Sequence, residues 1–224
     1  MAGFAESVDI LEAELTQVLD GFRRVGDEQW SVPTRLEPLD PSLPHWTVFE
    51  LAGHFDISIG LTRMLIAEPT AGQPGRDRVS FFIFPRSEVA PVVYDYAYTM
   101  VEGRQPSDMV AVLEETFSKS VEESRAATPD MIGSGYYALM RLDDFVPTRT
   151  VEAVIHGIDL TDAMGWEPAA TAAGVALTAQ ILDELLARRT IAGRPDDLSD
   201  DLDWIRAASG RGLDHPDPRL PLIG

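Results

Sequence analysis

The chain has 224 residues, of which 45% are hydrophobic and 25% charged, a composition that predicts a sizeable folded domain and excludes a largely disordered chain. Its 18 basic residues are outnumbered by 37 acidic ones, and the formal charge of -19 disfavours nucleic acid and anionic membrane surfaces as partners. Cysteine is absent, which excludes disulfides, thiolate metal sites and a cysteine nucleophile. The sequence shows neither a long apolar run nor a signal-peptide pattern, so we expect a cytoplasmic protein.

The first part of the chain carries two amphipathic helices separated by a proline-rich segment. Apolar residues at spacings of three and four predict a first helix near the N-terminus, which Gly26 closes. The prolines in residues 31–46 predict an extended linker, because each one disfavours helix and removes a backbone donor. Thr47 and Glu50 then form the T-x-x-E pattern of a capping box, which predicts a second helix over residues 47–67.

The middle of the chain is less regular. Residues 68–90 mix glycines and prolines with the apolar run 81–84, which is compatible with a loop that carries a buried anchor or with a short helical turn. A short helix that begins after a proline is predicted over residues 92–103. Ser107 is predicted to cap a third long helix that ends near Ala127.

The rest of the chain is helical except for its proline-rich tail. Pro147 and Thr148 introduce a fourth long helix, predicted from about Arg149 to Met164. Two further helices are predicted over residues 172–189 and 199–210. No segment shows a convincing β-strand pattern.

These elements together predict an all-α fold. Four long amphipathic helices joined by long connections are typical of a helical bundle with crossover connections. We therefore expect a bundle over residues 1–165 and a helical C-terminal extension, packed on the bundle, over residues 166–224.

Two of the predicted helices carry residues that could hold a metal ion. Glu152 and His156 lie four residues apart, so both project from one face of the fourth helix. His54 shares the apolar stripe of the second helix and therefore faces the bundle interior. Two imidazoles and one carboxylate around an open fourth position are the ligand set of catalytic zinc. The alternatives are a hydrogen-bonded core histidine at His54 and a local ion pair between Glu152 and His156.

Two charged residues flank these candidate ligands on the fourth helix. Asp159 follows His156 by three residues, where it could accept the proton of the non-ligating ring nitrogen or contact the bound ligand, unless it is a simple surface acid. Arg149 precedes Glu152 by three residues. It could bind a carboxylate group of the substrate or of a small thiol through two hydrogen bonds, or it could form a salt bridge with Glu152.

Other polar and aromatic features are assigned structural roles. The aspartates within residues 196–203 crowd around a predicted helix start, which favours a capped turn over a calcium site. His215 lies in a His-Pro-Asp-Pro tail and is expected to be exposed. Trp46 directly precedes the capping Thr47, which favours a hydrophobic staple over a pocket wall.

Two motifs resemble the DinB-like metalloenzyme superfamily. One is Trp-Thr-Val-x-x-Leu-x-x-His, which ends at His54, and the other is Arg-Thr-Val-Glu-Ala-Val-Ile-His-Gly-Ile-Asp over residues 149–159. More narrowly, the chain is similar to the actinobacterial branch typified by the N-terminal domain of mycothiol-dependent maleylpyruvate isomerase. The resemblance covers residues 1–165 and implies an up-down-down-up four-helix bundle in which His54, Glu152 and His156 hold zinc.

The resemblance also implies a thiol-dependent enzyme. Superfamily members are associated with low-molecular-weight thiols, mycothiol in actinobacteria, and the absence of cysteine fits a thiol supplied from outside the chain. An open zinc position can lower the pKa of a thiol and present the thiolate to an electrophilic carbon. We therefore expect a zinc-dependent, mycothiol-using S-transferase or thiol-assisted isomerase that acts on a small electrophilic molecule as a monomer or homodimer.

Two other functions stay open, as does the substrate. The metal, zinc or another divalent ion, could activate water in a hydrolase with Asp159 as the base. The bundle could instead bind a small molecule, or act in a stress response, without turnover. Residues 166–224 do not match the α/β portion of the isomerase, so the isomerase reaction is not transferred. The candidates for an arginine that binds substrate or thiol are Arg63, Arg86, Arg104 and Arg149.

Overall fold

The computed structural model describes residues 3–36, 38–190, 192–212 and 215–223. Its α-helices are α1 (Phe4–Arg23), α2 (Val48–Ala67), α3 (Arg86–Val101), α4 (Pro106–Ala126), α5 (Leu142–Met164), α6 (Ala172–Arg189) and α7 (Asp201–Ser209). Short 3-10 helices lie at Asp27–Ser31 and Ser80–Phe82. The strands β1 (Ile132–Ser134) and β2 (Leu139–Arg141) pair in antiparallel fashion.

The four long helices α1, α2, α4 and α5 form a bundle. Helix α1 packs against α4 and α5, and α2 packs against the same two helices. Helices α1 and α2 therefore lie diagonally opposite each other, and the connection between them crosses the bundle. The predicted all-α bundle with crossover connections is confirmed, and α2 and α5, which carry the candidate ligands, are neighbours.

An aromatic cluster at the centre of the bundle joins the core to the candidate site. The rings of Phe22 on α1 and Phe55 on α2 meet edge to face with their centroids 5.7 Å apart. Phe117 on α4 contacts the same Phe55 ring at 6.1 Å. On its other side Phe55 lies 6.0 Å from the imidazole of His156. The packing of three helices therefore fixes the position of one candidate ligand.

The start of α2 follows the predicted capping box. The hydroxyl of Thr47 accepts a hydrogen bond from the Phe49 amide at 3.2 Å, and the carboxylate of Glu50 accepts one from the Thr47 amide at 2.8 Å. These bonds satisfy backbone donors that have no partner within the helix. They also fix where α2 begins, and hence which of its residues face the interior.

Helices α3 and α5 begin earlier than predicted. Both starts were expected after a proline, but Pro91 and Pro147 lie inside the helices. In α5 the turn before Pro147 buries Leu142 and Phe145 completely, and this apolar burial offsets the backbone bond that proline removes. Helix α4 also differs, because its N-cap is Gln105 rather than Ser107.

The chain forms one short hairpin, although no segment of its sequence shows a convincing β-strand pattern. The hairpin β1–β2 pairs only three residues on each strand, which is too short for an alternating pattern to be recognised. It packs on the end of α2 so closely that a Cβ at Gly133 would lie 2.3 Å from the Leu65 carbonyl oxygen. The hairpin loop carries Tyr136 and Tyr137, which both line a cavity beside α2 and α5.

The segment between α2 and α3 combines both predicted alternatives. Ser80–Phe82 forms a turn of 3-10 helix, and the rings of Phe81 and Phe82 are buried. Ile83, the next residue of the apolar run, is exposed. The segment therefore anchors itself to the core through two of its aromatic side chains.

The residues after Gly165 form α6 and α7, which both pack on the bundle. Helix α6 contacts α5 and α1, and α7 contacts α6 and α5. Asp200 caps α7 by accepting hydrogen bonds from the backbone amides of residues 202 and 203, which confirms the predicted capped turn.

His215 is half-buried with its Nε2 3.1 Å from Asp197, so the prediction that it is exposed was wrong. The division of the chain after residue 165 stays a prediction.

None of the described helices is both long and apolar enough to cross a membrane.

Replacing Gly53 with alanine tests the close approach of α3 to α2. A Cβ at Gly53 would lie 2.6 Å from the Ala97 carbonyl oxygen and 2.8 Å from Val101 Cγ1. We expect Gly53→Ala to lower the free energy of unfolding by about 1–3 kcal/mol in urea denaturation. The control is Gly60→Ala on the same helix, where the nearest atom, Thr116 Cγ2, is 3.7 Å away. It should raise stability by up to about 1 kcal/mol, since alanine favours helix. Equal effects of the two substitutions would contradict this packing.

Candidate metal centre

His54 on α2 and Glu152 and His156 on α5 converge at one point between the two helices. Glu152 Oε2 lies 3.3 Å from His54 Nε2 and 3.4 Å from His156 Nε2. One ligand atom from each of the three residues lies within 4.8 Å of the other two. For metal-ligand bonds of about 2.0–2.1 Å, ligand atoms of a tetrahedral site lie about 3.3 Å apart. The two distances from Glu152 to the imidazole nitrogens therefore match the spacing of donor atoms in a tetrahedral metal site.

The electrostatics favour the metal-binding protonation state at Glu152 and His54, whereas at His156 burial lowers the pKa but hydrogen bonds with Asp159 and Glu152 raise it above its usual value. Burial raises the pKa of the Glu152 carboxyl, but hydrogen bonds from His156 and His54 and the charge of Arg149 hold it well below its usual value. Burial and the neighbouring His156 lower the pKa of His54. An ionised carboxylate and a neutral imidazole each offer a free electron pair, as metal binding requires.

Asp159 lies behind His156 and fixes the orientation of its ring. The Asp159 Oδ2 atom is 2.8 Å from His156 Nδ1, so the opposite nitrogen, Nε2, points at Glu152. The Asp159 side chain is only 3% exposed, which overturns the alternative of a surface acid. A carboxylate on the outer nitrogen of a histidine ligand is a common arrangement in metal sites, because it sets the tautomer.

The ring of His54 is supported by aromatic packing instead. Trp46 lies with its ring centroid 5.1 Å from that of His54 and 6.2 Å from that of Tyr94. The sequence pattern favours a hydrophobic staple at Trp46, and the contact of this ring with His54 is a role that the pattern does not indicate. Among the described residues, His54 Nδ1 has no hydrogen-bond partner. The two histidines are thus held in place by different means.

A cavity of about 210 Å³ opens directly onto the three candidate ligands. Its walls are mostly apolar, and many of them are aromatic: Phe81, Phe82, Phe84, Tyr96, Tyr136 and Tyr137. For comparison, an apolar cavity of about 150 Å³ accommodates benzene. The cavity therefore suits a molecule, or part of one, the size of a single substituted ring.

Arg149 also lines the cavity, and its guanidinium is buried. It is 2% exposed, with NH1 donating to the Ser58 carbonyl at 3.0 Å and Nε donating to the Thr148 hydroxyl at 3.1 Å. The rings of Phe81 and Phe145 flank it. Among the described residues no partner is found for NH2, and no carboxylate lies within ion-pair distance, so the alternative of a salt bridge with Glu152 is not formed.

The other arginines proposed from the sequence divide into two groups. Arg86 is exposed and lines the cavity. Arg63 and Arg104 do not line the cavity. Arg63 pairs with Glu123 at 2.9 Å, and Arg104 pairs with Asp56 at 3.2 Å.

A further arginine of the cavity wall, Arg211, was not predicted from the sequence. It lies directly after the α7 C-cap Gly210, at what the sequence pattern indicated to be the start of a tail. No spacing or motif marks it, because its place depends on how the C-terminal helices pack on α5.

The fold and the site together define a bundle of the DinB-like class. Residues 11–161 match the family model of the mycothiol maleylpyruvate isomerase N-terminal domain. This match spans more than half of the chain and contains His54, Glu152 and His156, and the chain therefore belongs to that family. Searches of the curated proteins and of the solved structures found no match.

The ligand assignment is tested by replacing His156 with alanine. We expect His156→Ala to lose stoichiometric metal, measured by elemental analysis of protein purified without chelator, because one imidazole donor is removed. The helical content measured by circular dichroism should stay high, since a core of this size does not need metal to fold. The control, His215→Ala, removes a histidine near Asp197 and should keep its metal. Full metal retention by His156→Ala would contradict the assignment.

Proposed function

We propose that the protein is a zinc-dependent, mycothiol-using S-transferase or thiol-assisted isomerase that acts on a small electrophilic molecule. The observation that carries the proposal is the convergence of His54, Glu152 and His156 at the wall of an apolar cavity. Membership of the mycothiol maleylpyruvate isomerase N-terminal domain family and the absence of cysteine both support a thiol supplied from outside the chain. We place the protein in the cytoplasm, where small thiols are kept reduced, as a monomer or homodimer.

The donor set favours a catalytic site over a structural one. Structural zinc sites are usually closed by four protein ligands, whereas catalytic sites have three and keep one position open. Within the described part of the chain, no fourth histidine or acid joins His54, Glu152 and His156 in the group of converging ligand atoms. Zinc held there would lower the pKa of a coordinated thiol and so supply a thiolate nucleophile at neutral pH. Another divalent metal could take the same nitrogen and oxygen donors.

Asp159 is better suited to positioning than to proton transfer. One of its oxygens lies against His156 Nδ1 and both face the guanidinium of Arg211. With these contacts and 3% exposure, the carboxylate is not free to take a proton from a water molecule in the cavity. The hydrolase alternative therefore loses the base that the sequence suggested for it.

Arg149 is the residue that we expect to bind an anionic group of the substrate or thiol. A buried guanidinium without a carboxylate partner is costly, and an anion beside it would offset that cost. The planar fork of arginine also matches a carboxylate in geometry. The apolar walls would meanwhile hold the uncharged part of the electrophile and exclude water from it.

The proposal is tested by titrating mycothiol calorimetrically into metal-loaded protein. We expect binding that disappears when the metal is removed by chelation, because the sulfur needs the open coordination position. The matched control is S-methyl mycothiol, which keeps the rest of the molecule but cannot form a thiolate, and it should bind more weakly. Metal without thiol binding, together with turnover in the absence of thiol, would favour the hydrolase. Binding of a small molecule with no turnover under any condition would favour the non-enzymatic alternative.

A further inference from the structure

We propose that Arg211, in the C-terminal extension, is a positioning residue of the metal centre that acts on His156 through Asp159. The proposal rests on the metal site proposed above. Arg211 lies outside residues 11–161, which match the family model. The extension would thus complete a site whose ligands all lie within the matched part of the chain.

The contacts of Arg211 form a continuous series that ends at the candidate ligand. Its Nε lies 3.2 Å from Asp159 Oδ1 and its NH2 lies 3.3 Å from Asp159 Oδ2, so the guanidinium faces both carboxylate oxygens. Asp159 Oδ2 is in turn 2.8 Å from His156 Nδ1. A two-point contact fixes the plane of a carboxylate, which a single hydrogen bond does not. Arg211 therefore limits the rotation of Asp159, and Asp159 limits that of the imidazole.

Burial makes this series rigid. The side chains of Arg211 and His156 are each 12% exposed, and that of Asp159 is 3% exposed. Water has little access to replace either contact, and a carboxylate left without its arginine would lack a compensating charge.

The extension also holds Arg211 itself in place. Gly210 ends α7 in the left-handed conformation with φ 69°, which turns the chain so that Arg211 faces α5. Arg211 NH1 donates to the Ser209 carbonyl at 2.5 Å, and Arg206 NH1 lies 3.2 Å from the Arg211 carbonyl. Arg206 pairs at 2.7 Å with both oxygens of Asp162, one turn after Asp159 on α5. Two arginines of the extension thus contact two successive acids of α5, directly after the ligands.

The test is to measure zinc affinity by competition with a chromophoric chelator in purified full-length variants. Losing a direct partner of a ligand, such as Asp159, weakens metal binding about 10- to 100-fold, and we expect Arg211→Gln to weaken zinc binding by a smaller factor, of about 10-fold. Arg211→Lys keeps the charge but not the two-point contact, and its affinity should lie between those of the wild type and Arg211→Gln. The double variant Arg211→Gln/Asp159→Asn should bind no more weakly than Asp159→Asn alone, because the arginine acts through the aspartate.

The matched control is Arg194→Gln in the same extension. Arg194 pairs with Asp183 and Asp201 and stacks on Trp204, and it does not line the cavity. Arg194→Gln should lower the melting temperature and leave zinc affinity unchanged. It therefore distinguishes a general destabilisation of the extension from a change in the position of His156.

A second readout follows the imidazole directly. In zinc-loaded wild-type protein, the Nδ1 proton of His156 should be protected from exchange with solvent in nitrogen-edited nuclear magnetic resonance spectra. We expect this protection to fall in Arg211→Gln and to persist in Arg194→Gln.

The outcomes distinguish this inference from the proposed function. A wild-type protein that binds no zinc would overturn the metal site and, with it, the inference. Zinc binding by the wild type with equal affinity in Arg211→Gln would overturn only the role of Arg211. Equal losses of zinc affinity in Arg211→Gln and Arg194→Gln would also overturn the role of Arg211, because they would show that the loss comes from weaker packing of the extension in general. If Arg211→Gln does not fold, Arg211→Lys decides the question by the same measurements.

Discussion

The site depends on the compensation of one charge, the partly buried carboxylate of Glu152. An ionised carboxylate inside a helical bundle is costly unless charges and hydrogen bonds compensate for it. Here the compensation comes from His54 on the neighbouring helix, from His156 on the next turn and from the charge of Arg149. Each of these groups is held in turn by other contacts, and together they link α2, α5 and the cavity wall. The same arrangement that allows a partly buried charge also provides donor atoms at the spacing of a metal site.

The candidate site could be predicted from the sequence to the extent that its signals are local. The spacing of Glu152 and His156 places both on one face of any helix, and the Thr47 capping box set the start of α2. Which helices are neighbours cannot be read from periodicity, and the resemblance to a known family supplied that step. The orientation of Arg149 was undetermined for the same reason, since its partners come from α2 and from Phe81 in the segment between α2 and α3.

What the sequence could not predict depends on contacts between distant segments. Pro91 and Pro147 mark helix boundaries in local rules, but both lie inside helices, and in α5 the turn before Pro147 buries Leu142 and Phe145. The hairpin is too short to leave a pattern, although its loop supplies two tyrosines of the cavity. Arg211 reaches α5 only because α7 packs there. These features share one cause, namely that tertiary packing outweighed local preference.

The tight contact between α2 and α3 at Gly53 divides the site into a fixed part and a variable part. The donor atoms belong to α2 and α5 and lie against the bundle core, whereas the opposite wall belongs to α3, where Val89, Val93 and Tyr96 face the cavity. The backbone of α3 cannot move closer to α2, so on this side of the cavity the room left for a bound molecule is set by those side chains. Related chains could therefore diverge in the molecule they accept by exchanging wall residues, while the same three donors are inherited unchanged.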